Sequence, residues 1–263
     1  MSLYEQYLSK RKKEKIIILS LQIISLITFI IIWELLAHFK LIDPFVFSSP
    51  TRVFKMFLLY IENNELLRHS FVSLYEVLIG LVLGTFLGLV IAIILFELPI
   101  VAKISDPYLV VLNALPKTAL APIIIIWAGA NIKGIIVVTI SISLIITIIN
   151  ALSAFNRVDD DKIKLLKTYN ASKYQILRYL ILPSNISQII DIIKINIGMC
   201  FIGVIVGEFI VSKEGLGYLI TYGTQVFKLD LVMLGIITLA ILTMLLYSLL
   251  NLVVKIYIKK RGW

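Results

Sequence analysis

A few polar side chains lie inside long apolar runs of the sequence, and they are its first candidates for chemistry. Lys117 follows Pro116 in one run, and Asn196 and Glu208 lie in another. A carboxylate at bilayer depth costs at least about 2–3 kcal/mol on insertion scales, so we expect Glu208 to face a bundle interior, a polar cavity or the external interface. There it either contacts a solute or anchors the following outer loop by accepting backbone N–H groups. Lys117 either lines a cavity or extends to the cytoplasmic interface.

The residues needed for enzymatic or metal chemistry are sparse. His38 and His69 lie far apart, and Cys200 is the single cysteine, which excludes cysteine-rich metal sites. The scattered carboxylates form no convincing constellation for an integral membrane enzyme. The sequence also lacks a Gly-rich phosphate loop followed by Lys and Ser or Thr, so the chain does not by itself supply the usual P-loop nucleotide site.

The composition indicates a membrane protein. Of the 263 residues, 60% are hydrophobic and 16% are charged, whereas soluble domains average about 45–50% apolar and about 25% charged residues. A membrane helix needs about 20 mostly apolar residues, and six runs meet that length: residues 16–36, 71–96, 108–128, 134–155, 186–211 and 231–257. The first run is longer than a signal-peptide core and no clear cleavage site follows it, so we favour a retained anchor.

The basic residues set the orientation of these spans. An even number of spans puts both termini on one side, and most of the 25 basic residues then fall in the two termini and in the loops on that side. The excess of basic residues in cytoplasmic loops therefore predicts that both termini are cytoplasmic. The net charge of +9 is a topology signal, and binding of nucleic acid has no separate support.

The predicted domain organisation follows from these spans. Residues 1–15 are predicted to form a basic cytoplasmic tail, and residues 16–36 the first membrane helix. Residues 37–70 form an outer segment with a short surface helix capped by Thr51. Residues 71–257 form a five-helix core, and residues 258–263 a second cytoplasmic tail. The core includes a cytoplasmic loop at residues 156–183.

Two spans carry residues that predict particular helix geometries. Gly80, Gly84 and Gly88 recur at every fourth position of the second span, which lets another helix approach closely. Pro116 and Pro122 lie in the third span, and each removes a backbone donor. The carbonyls that lose their partners need protein or water contacts, which either a simple kink or a cavity-lining break supplies.

The cytoplasmic loop reads as two short amphipathic helices. Three aspartates, residues 159–161, favour a helix start through the helix dipole, and Asn170 tolerates the positive φ of a sharp turn. The predicted apolar face is Ile163, Leu166, Tyr174, Leu177 and Ile181, and Pro183 is predicted to end the second helix. Such a segment either lies on the inner leaflet or docks into a groove of a cytoplasmic protein.

Residues 164–183 resemble the cytoplasmic coupling loop of permease subunits in binding-protein-dependent ABC importers. That pattern is Glu-Ala-Ala, three residues, Gly, nine residues, Ile, one residue and Leu-Pro. This sequence has Lys164-Leu165-Leu166 at the first three positions, Asn170 for the Gly, Leu180 for the Ile, and Leu182-Pro183. The spacing fits, but Asn170 and Lys164 replace the family's Gly and Glu, and Lys164 reverses a charge.

Three further segments, residues 48–54, 106–129 and 205–220, are similar to the nitrate/sulfonate/taurine branch of these permeases. Glu76 departs from it, because members often carry a basic residue there. The resemblance implies an all-α integral membrane protein with the six-helix fold of a type I ABC importer permease. It also implies a multi-pass location in the bacterial cytoplasmic membrane, and it extends from roughly Trp33 to the last span.

The resemblance implies roles for particular residues. Those expected to contact the ATPase are Lys164, Leu165, Leu166, Asn170, Ala171, Ser172, Leu180 and Pro183. Those expected along the solute path are Asn113, Pro116, Lys117, Asn196, Cys200 and Glu208. The loop expected to face the binding protein contains Gly215, Leu216, Gly217 and Tyr218.

The implied partners are a dimer of cytoplasmic ABC ATPase subunits, an external substrate-binding protein, the lipid bilayer and a second copy of this chain. No cofactor is expected in this chain, because ATP and Mg²⁺ would bind the separate ATPase, and the chain itself is not expected to be an enzyme. The expected cargo is a small organic or inorganic anion such as a sulfonate, taurine or nitrate. A thiamine-pyrimidine precursor or another small organic solute is the alternative cargo, and a secondary transporter without a docking loop is the alternative class.

Overall fold

The computed structural model describes residues 3–261, which form helices joined by short turns. The first two residues of the predicted 1–15 tail and the last two of the 258–263 tail lie outside the described residues. The α-helices are α1 (Leu3–His38), α2 (Pro44–Phe47), α3 (Pro50–Glu62), α4 (Glu65–Glu97), α5 (Pro99–Ala114), α6 (Lys117–Ala128), α7 (Ile132–Phe155), α8 (Asp160–Thr168), α9 (Lys173–Ile176), α10 (Leu182–Ser184), α11 (Ile186–Val211), α12 (Leu216–Gln225) and α13 (Leu229–Arg261). A π-helical turn, Leu177–Ile181, joins α9 to α10.

Among the described residues, five helices are long and apolar enough to cross a membrane: α1, α4, α7, α11 and α13. Helices α5 and α6 provide a sixth crossing if the pair is one span, and they are bent by 100° at the break between them. The predicted all-helical membrane fold is confirmed. The third span differs in detail, because Pro116 lies at the break while Pro122 lies inside α6 without interrupting it.

Helix α1 lies at the edge of the bundle. It begins at Leu3, so the basic stretch of the predicted tail is continuous with the first span. The apolar side chains of residues 16–32 are exposed, as expected of a helix that faces lipid. Contact with the rest of the chain is made near its C-terminal end, where Trp33 Nε1 donates to the Phe47 carbonyl at 3.3 Å and the Glu34 carboxylate accepts from the Thr51 N–H at 2.9 Å.

The outer segment contains one surface helix of useful length, α3, and its cap differs from the prediction. Ser49 is the N-cap, its Oγ accepting from the Arg52 N–H, and Pro50 occupies the first turn. The prediction of Thr51 as the cap is wrong, because Pro50 fits the first helical position, which needs no N–H donor. The segment also ends earlier than predicted, at a turn through Asn64 (φ 56°) from which α4 starts.

The centre of the bundle is the packing of α4 against α7. A Cβ atom on any of the three predicted glycines of α4 would overlap a side chain of α7, so the two helices approach very closely. The facing pairs are Gly80 with Thr139, Gly84 with Ser143, and Gly88 with Thr147. The predicted helix-packing role of the glycine stripe is therefore confirmed.

Helix α11 packs against the same two helices. Gly203 lies against Thr139 of α7, and Gly207 lies against Ile135, each too close for an added methyl group without a shift. Helix α6 completes this part of the bundle through Ala121 and Ile125, which are buried with α7 residues in one apolar cluster. Helices α4, α6, α7 and α11 thus form the packed core.

Replacing Gly88 by Ala should destabilise the bundle, because the new methyl group would stand 2.5 Å from the Thr147 Cβ and 3.0 Å from the Leu144 carbonyl oxygen. Overpacking of this kind costs about 1–3 kcal/mol. Gly198→Ala in α11 is the matched control, since nothing lies within 4 Å of its added Cβ. The thermal unfolding midpoint of the detergent-solubilised chain should be lower for Gly88→Ala than for the wild type, and unchanged for Gly198→Ala. Equal midpoints would contradict the close α4–α7 contact.

Candidate functional site

The loop between α7 and α11, which the sequence predicts to be cytoplasmic, starts as the three aspartates predict. The Asp159 side chain caps α8 by accepting from the Asp161 N–H at 2.9 Å. Asp160 and Asp161 follow in the first turn, where carboxylates interact favourably with the exposed N–H groups. The helix start is therefore fixed by local sequence.

The turn after α8 is the one that the sequence predicts. Asn170 has a φ of 56°, and the chain closes behind it by an Ala171 N–H bond to the Leu166 carbonyl at 3.1 Å. Helix α9 then starts with a reciprocal capping box, in which Ser172 N–H donates to Gln175 Oε1 at 2.7 Å and Gln175 N–H donates to Ser172 Oγ at 3.3 Å. Both ends of this turn are held by hydrogen bonds.

The second half of the loop departs from the predicted face. The N–H of Leu182 bonds to the Leu177 carbonyl, which marks a wider π-helical turn just before Pro183. Helical bonding continues past Pro183, so its prediction as the helix end is wrong, and the break falls at Asn185. Ile176 and Ile181 are buried, whereas Tyr174 is 63% exposed, so Tyr174 and Ile181 do not share one face as the spacing predicts.

The inner face of the loop is packed onto the end of the bundle that α4, α7 and α11 form beside it. Ile176 and Ile181 share one apolar cluster with Ala92 of α4, Phe155 of α7 and Ile192 of α11. Further loop residues pack against this cluster while partly buried: Ile163, Leu166, Ala171, Leu177, Leu180 and Leu182. Three predicted ATPase-contact residues, Leu166, Ala171 and Leu180, thus contact the chain's own core.

The outer face of the loop keeps its apolar groups uncovered by this chain. Leu165 is 56% exposed and Tyr169 is 75% exposed. Lys164 is exposed next to them and pairs with Asp161 at 3.0 Å, a contact worth little in water. Leu165 lies in the last turn of α8, and Tyr169 directly follows that helix. These two residues are named the outer face of the loop.

At the broken third span, the structure brings together two predicted path residues. Lys117 Nζ donates to the Asn113 backbone carbonyl at 2.8 Å and to its Oδ1 at 3.3 Å. The lysine therefore satisfies a carbonyl at the end of α5 that the break at Pro116 leaves without a helical partner. Because an ammonium group has three donors, one remains for another acceptor.

The polar residues of α11 are buried inside the bundle. Asn196 Nδ2 donates to Thr85 Oγ1 of α4 at 2.9 Å and to Thr147 Oγ1 of α7 at 2.7 Å, and Asn196 Oδ1 has no partner in the described chain. Cys200 is fully buried in the neighbouring apolar cluster. These contacts tie α11 to α4 and α7, and the assignment of Asn196 and Cys200 to a solute path stays a prediction.

Glu208 holds the outer loop that follows α11. Its Oε2 accepts from the Gly217 N–H at 2.5 Å, and its Oε1 accepts from the Ser73 hydroxyl of α4 at 2.6 Å. A Cβ on Gly215, which has a φ of 103°, or on Gly217 would overlap the Glu208 carboxylate. Of the two roles weighed for Glu208, the structure shows the loop-anchoring one, in a form that needs glycine at both positions.

Two residues that hold the outer loop were not singled out from the sequence. Ser73 Oγ accepts from the Leu216 N–H at 2.8 Å, and His69 Nδ1 accepts from the Gly215 N–H at 2.9 Å. Tyr218, the last residue of the predicted binding-protein loop, packs against the His69 ring. No local pattern identifies these residues, because their partners lie more than a hundred residues away.

A second outer contact ties the surface segment to α13. Arg52 donates to Asp230 Oδ2 through Nε at 3.1 Å and Nη2 at 2.9 Å, and Ser48 Oγ donates to Asp230 Oδ1 at 2.6 Å. Nearby, burial and the Glu65 carboxylate raise the pKa of the Tyr60 hydroxyl. The only signal in the sequence was Arg52 itself, within the segment at residues 48–54 that carried the resemblance.

A metal site is not formed by the described residues: no group of three or more His, Cys, Asp or Glu side chains among them could hold an ion. The described residues instead form a loop between α7 and α11 that is held by apolar packing, a broken span, and a loop after α11 that is held by hydrogen bonds to Glu208.

Comparison with known proteins gives a consistent family. Residues 80–262 match the family model described as "Binding-protein-dependent transport system inner membrane component". A probable ABC transporter permease protein of Haemophilus influenzae is 28% identical, covering 83% of this chain and 88% of the relative. A putative aliphatic sulfonates transport permease protein of Bacillus subtilis is 26% identical (89% and 84% covered), and a formylaminopyrimidine transport permease protein of Halalkalibacterium halodurans is 28% identical (72% and 74% covered).

Changing Asn170 tests the turn of the cytoplasmic loop. Asn170→Ala should weaken the loop by about 1 kcal/mol, because a Cβ without a compensating polar group is strained at positive φ. Asn170→Gly is the matched control and should leave the loop as stable as the parent. Amide hydrogen exchange across residues 160–176 should speed up in the alanine variant alone. Equal exchange in both variants would show that the positive φ of Asn170 does not shape the loop.

Proposed function

The chain belongs to the family of binding-protein-dependent transport system inner membrane components, and we propose that its cytoplasmic loop receives the motion of a separate ABC ATPase. The chain is a multi-pass ABC importer permease for a small solute. In this proposal, the outer face of the loop enters a cleft of the ATPase. Closure of the ATPase dimer then moves the attached helices and switches a cavity between inward and outward access.

One observation carries the proposal: besides the apolar face that this chain covers, the loop exposes two large apolar side chains that the chain leaves uncovered. The inner face packs on Ala92, Phe155 and Ile192, which belong to three different membrane helices. On the outer face, Leu165 and Tyr169 are left for another surface. A protein groove that accepts an amphipathic helix buries such residues, and this supports docking over simple contact with water.

The attachment of the loop is suited to passing on a displacement. The capping box at Ser172 and the turn at Asn170 hold α8 and α9 at a fixed angle. Because close-packed interiors are stiff, a push on Leu165 would be transmitted through the cluster around Phe155 to α4, α7 and α11 together.

The partners of the proposed assembly follow from the chemistry that this chain lacks. The ATP and Mg²⁺ sites would lie in the ATPase dimer, and a second copy of this chain would complete the solute path. An external binding protein would dock near the outer loop at Gly215 and Tyr218. With this loop outside and an even number of spans, both chain termini lie in the cytoplasm. The excess of basic residues on that side supports this orientation.

A small anion is the cargo that we propose. The sulfonate-transporting relative and the remaining donor of Lys117 at the broken span support an anionic group such as a sulfonate, as in taurine. Nitrate is part of the same proposal on the resemblance of the sequence alone. The relative named for formylaminopyrimidine transport supports a thiamine-pyrimidine precursor as the second candidate.

The experiment that tests the proposed function is uptake into proteoliposomes that hold this chain and its ATPase, with binding protein outside and ATP inside. Uptake of the labelled solute should require both ATP and the binding protein. Uptake driven by an ion gradient without ATP would instead favour a secondary transporter. Running the assay with a sulfonate and with a formylaminopyrimidine in parallel separates the two cargo candidates.

Replacing Leu165 tests the docking face. Leu165→Asp should fold normally because the side chain is exposed, but it should reduce ATP-driven uptake by about tenfold or more, since losing one buried leucine costs about 1.5–3 kcal/mol. Leu165→Met keeps the apolar surface and should retain uptake. Unchanged transport in the aspartate variant would remove Leu165 from the proposed contact.

A further inference from the structure

Glu76 has a buried carboxyl group to which no donor in the described chain forms a hydrogen bond. It lies on α4, has no exposed surface, and neither of its oxygens has a hydrogen-bond partner. The Glu208 carboxyl group of α11 lies against the same face of α4, because Ser73, three residues before Glu76, donates to Glu208 Oε1 at 2.6 Å. An ionised carboxylate in this position would be a buried charge without a compensating partner, which proteins avoid.

Of the two carboxyl groups, that of Glu208 is the one whose oxygens accept hydrogen bonds from the surrounding chain. The Leu216 N–H can only donate, and it donates to Ser73 Oγ at 2.8 Å, so the Ser73 hydroxyl proton is free to point at Glu208 Oε1, 2.6 Å away. Glu208 Oε2 accepts from the Gly217 N–H at 2.5 Å. Both oxygens of Glu208 are therefore stabilised as acceptors, whereas Glu76 has no donor.

No Lys or Arg side chain forms an ion pair with Glu76 or Glu208 within the part of the chain that the structure describes. On α4, His69 accepts from the Gly215 N–H through Nδ1, and Arg68 forms an ion pair with Glu214. On α12, Tyr218 packs on the His69 ring. Helix α7 contributes Ile135, an apolar residue of the cluster that also contains Val77 beside Glu76. The charge of Glu76 thus has no partner that would neutralise it.

We propose that Glu76 and Glu208 form a proton-binding site. One proton from water binds the Glu76 carboxylate, and the resulting carboxylic acid donates a hydrogen bond to Glu208, which stays ionised. Two carboxyl groups in contact can form such a bond only when one of them carries a proton. This site goes beyond the coupling function, and it requires no ATPase or solute.

The bound proton stabilises the latch of the outer loop. Glu208 holds Gly217 directly and Leu216 through Ser73, so a second negative charge beside Glu208 would repel the acceptor that fixes the loop. In the unfolded chain both glutamates are ionised above about pH 4.3. The folded chain therefore binds one proton more than the unfolded chain at neutral pH, and its stability falls as the pH rises, by up to about tenfold per pH unit in the unfolding equilibrium constant.

A metal cation is the other occupant that two carboxyl groups suggest, and the geometry disfavours it. Hard cations such as Ca²⁺ and Mg²⁺ take about six or more oxygen ligands. Two carboxyl groups supply at most four oxygens, no group of three or more His, Cys, Asp or Glu side chains that could hold an ion is found among the described residues, and the cluster beside Glu76 is apolar: Val77, Ile135, Ile197, Cys200, Phe201 and Val204.

Infrared difference spectroscopy of the purified full chain in lipid nanodiscs detects the proton directly. The wild type should show the carbonyl band of a protonated carboxylic acid at about pH 7, and Glu76→Gln should lack it. Glu62→Gln, in which an exposed glutamate of α3 is changed, is the matched control and should keep the band. The wild-type band should be the same in sodium chloride, choline chloride and magnesium chloride.

Three results would overturn the proposal: no band in the wild type, a band that survives Glu76→Gln, or a band removed by sodium or magnesium. The last would assign the site to a cation. A second measurement follows the thermal midpoint from about pH 6 to about pH 9, where the wild type should lose stability and Glu76→Gln should lose clearly less. Parallel loss in both variants would contradict the link between the proton and the latch. Neither measurement involves transport, so each can fail while the proposed function stands.

Discussion

The close contact between α4 and α7 is the interaction on which the rest of the structure depends. Lipid supplies neither water nor a hydrophobic drive for helix association, so membrane helices associate through close backbone approach and internal hydrogen bonds. The glycine stripe that contains Gly84 allows that approach against the hydroxyl residues of α7 around Ser143. Helix α11 then adds a buried polar contact through Asn196. The three helices form one column from the outer loop to the cytoplasmic loop.

The two ends of this column carry opposite kinds of contact. At the outer end, Glu208 and Ser73 hold the backbone of the loop by hydrogen bonds in a buried, polar setting. At the cytoplasmic end, Phe155 and Ile181 hold the loop by apolar packing. In the proposed coupling, apolar packing suits this joint, because it is insensitive to pH and resists deformation.

Local signals predicted much of this architecture, and long-range pairings were beyond them. The turn at Asn170 and the helix start at Asp159 depend on residues a few positions away, so their chemistry is readable from the sequence. The π-helical turn was not predictable from the face pattern, and Ile176, not Tyr174, is buried together with Ile181. The proposed pairing of Glu76 with Glu208 joins two helices far apart in sequence, and only the folded bundle brings these helices together.

Photo-crosslinking at the outer face of the loop tests the central claim most directly. A photoreactive phenylalanine in place of Tyr169, which is 75% exposed, should give an adduct with an ATPase subunit in intact cells. Mass spectrometry should identify the adduct's partner by its Gly-rich phosphate loop. The same replacement at Tyr75, an exposed tyrosine of α4 in the membrane, should give no ATPase adduct. An adduct with lipid alone at position 169, or equal ATPase labelling at both positions, would contradict docking through this loop.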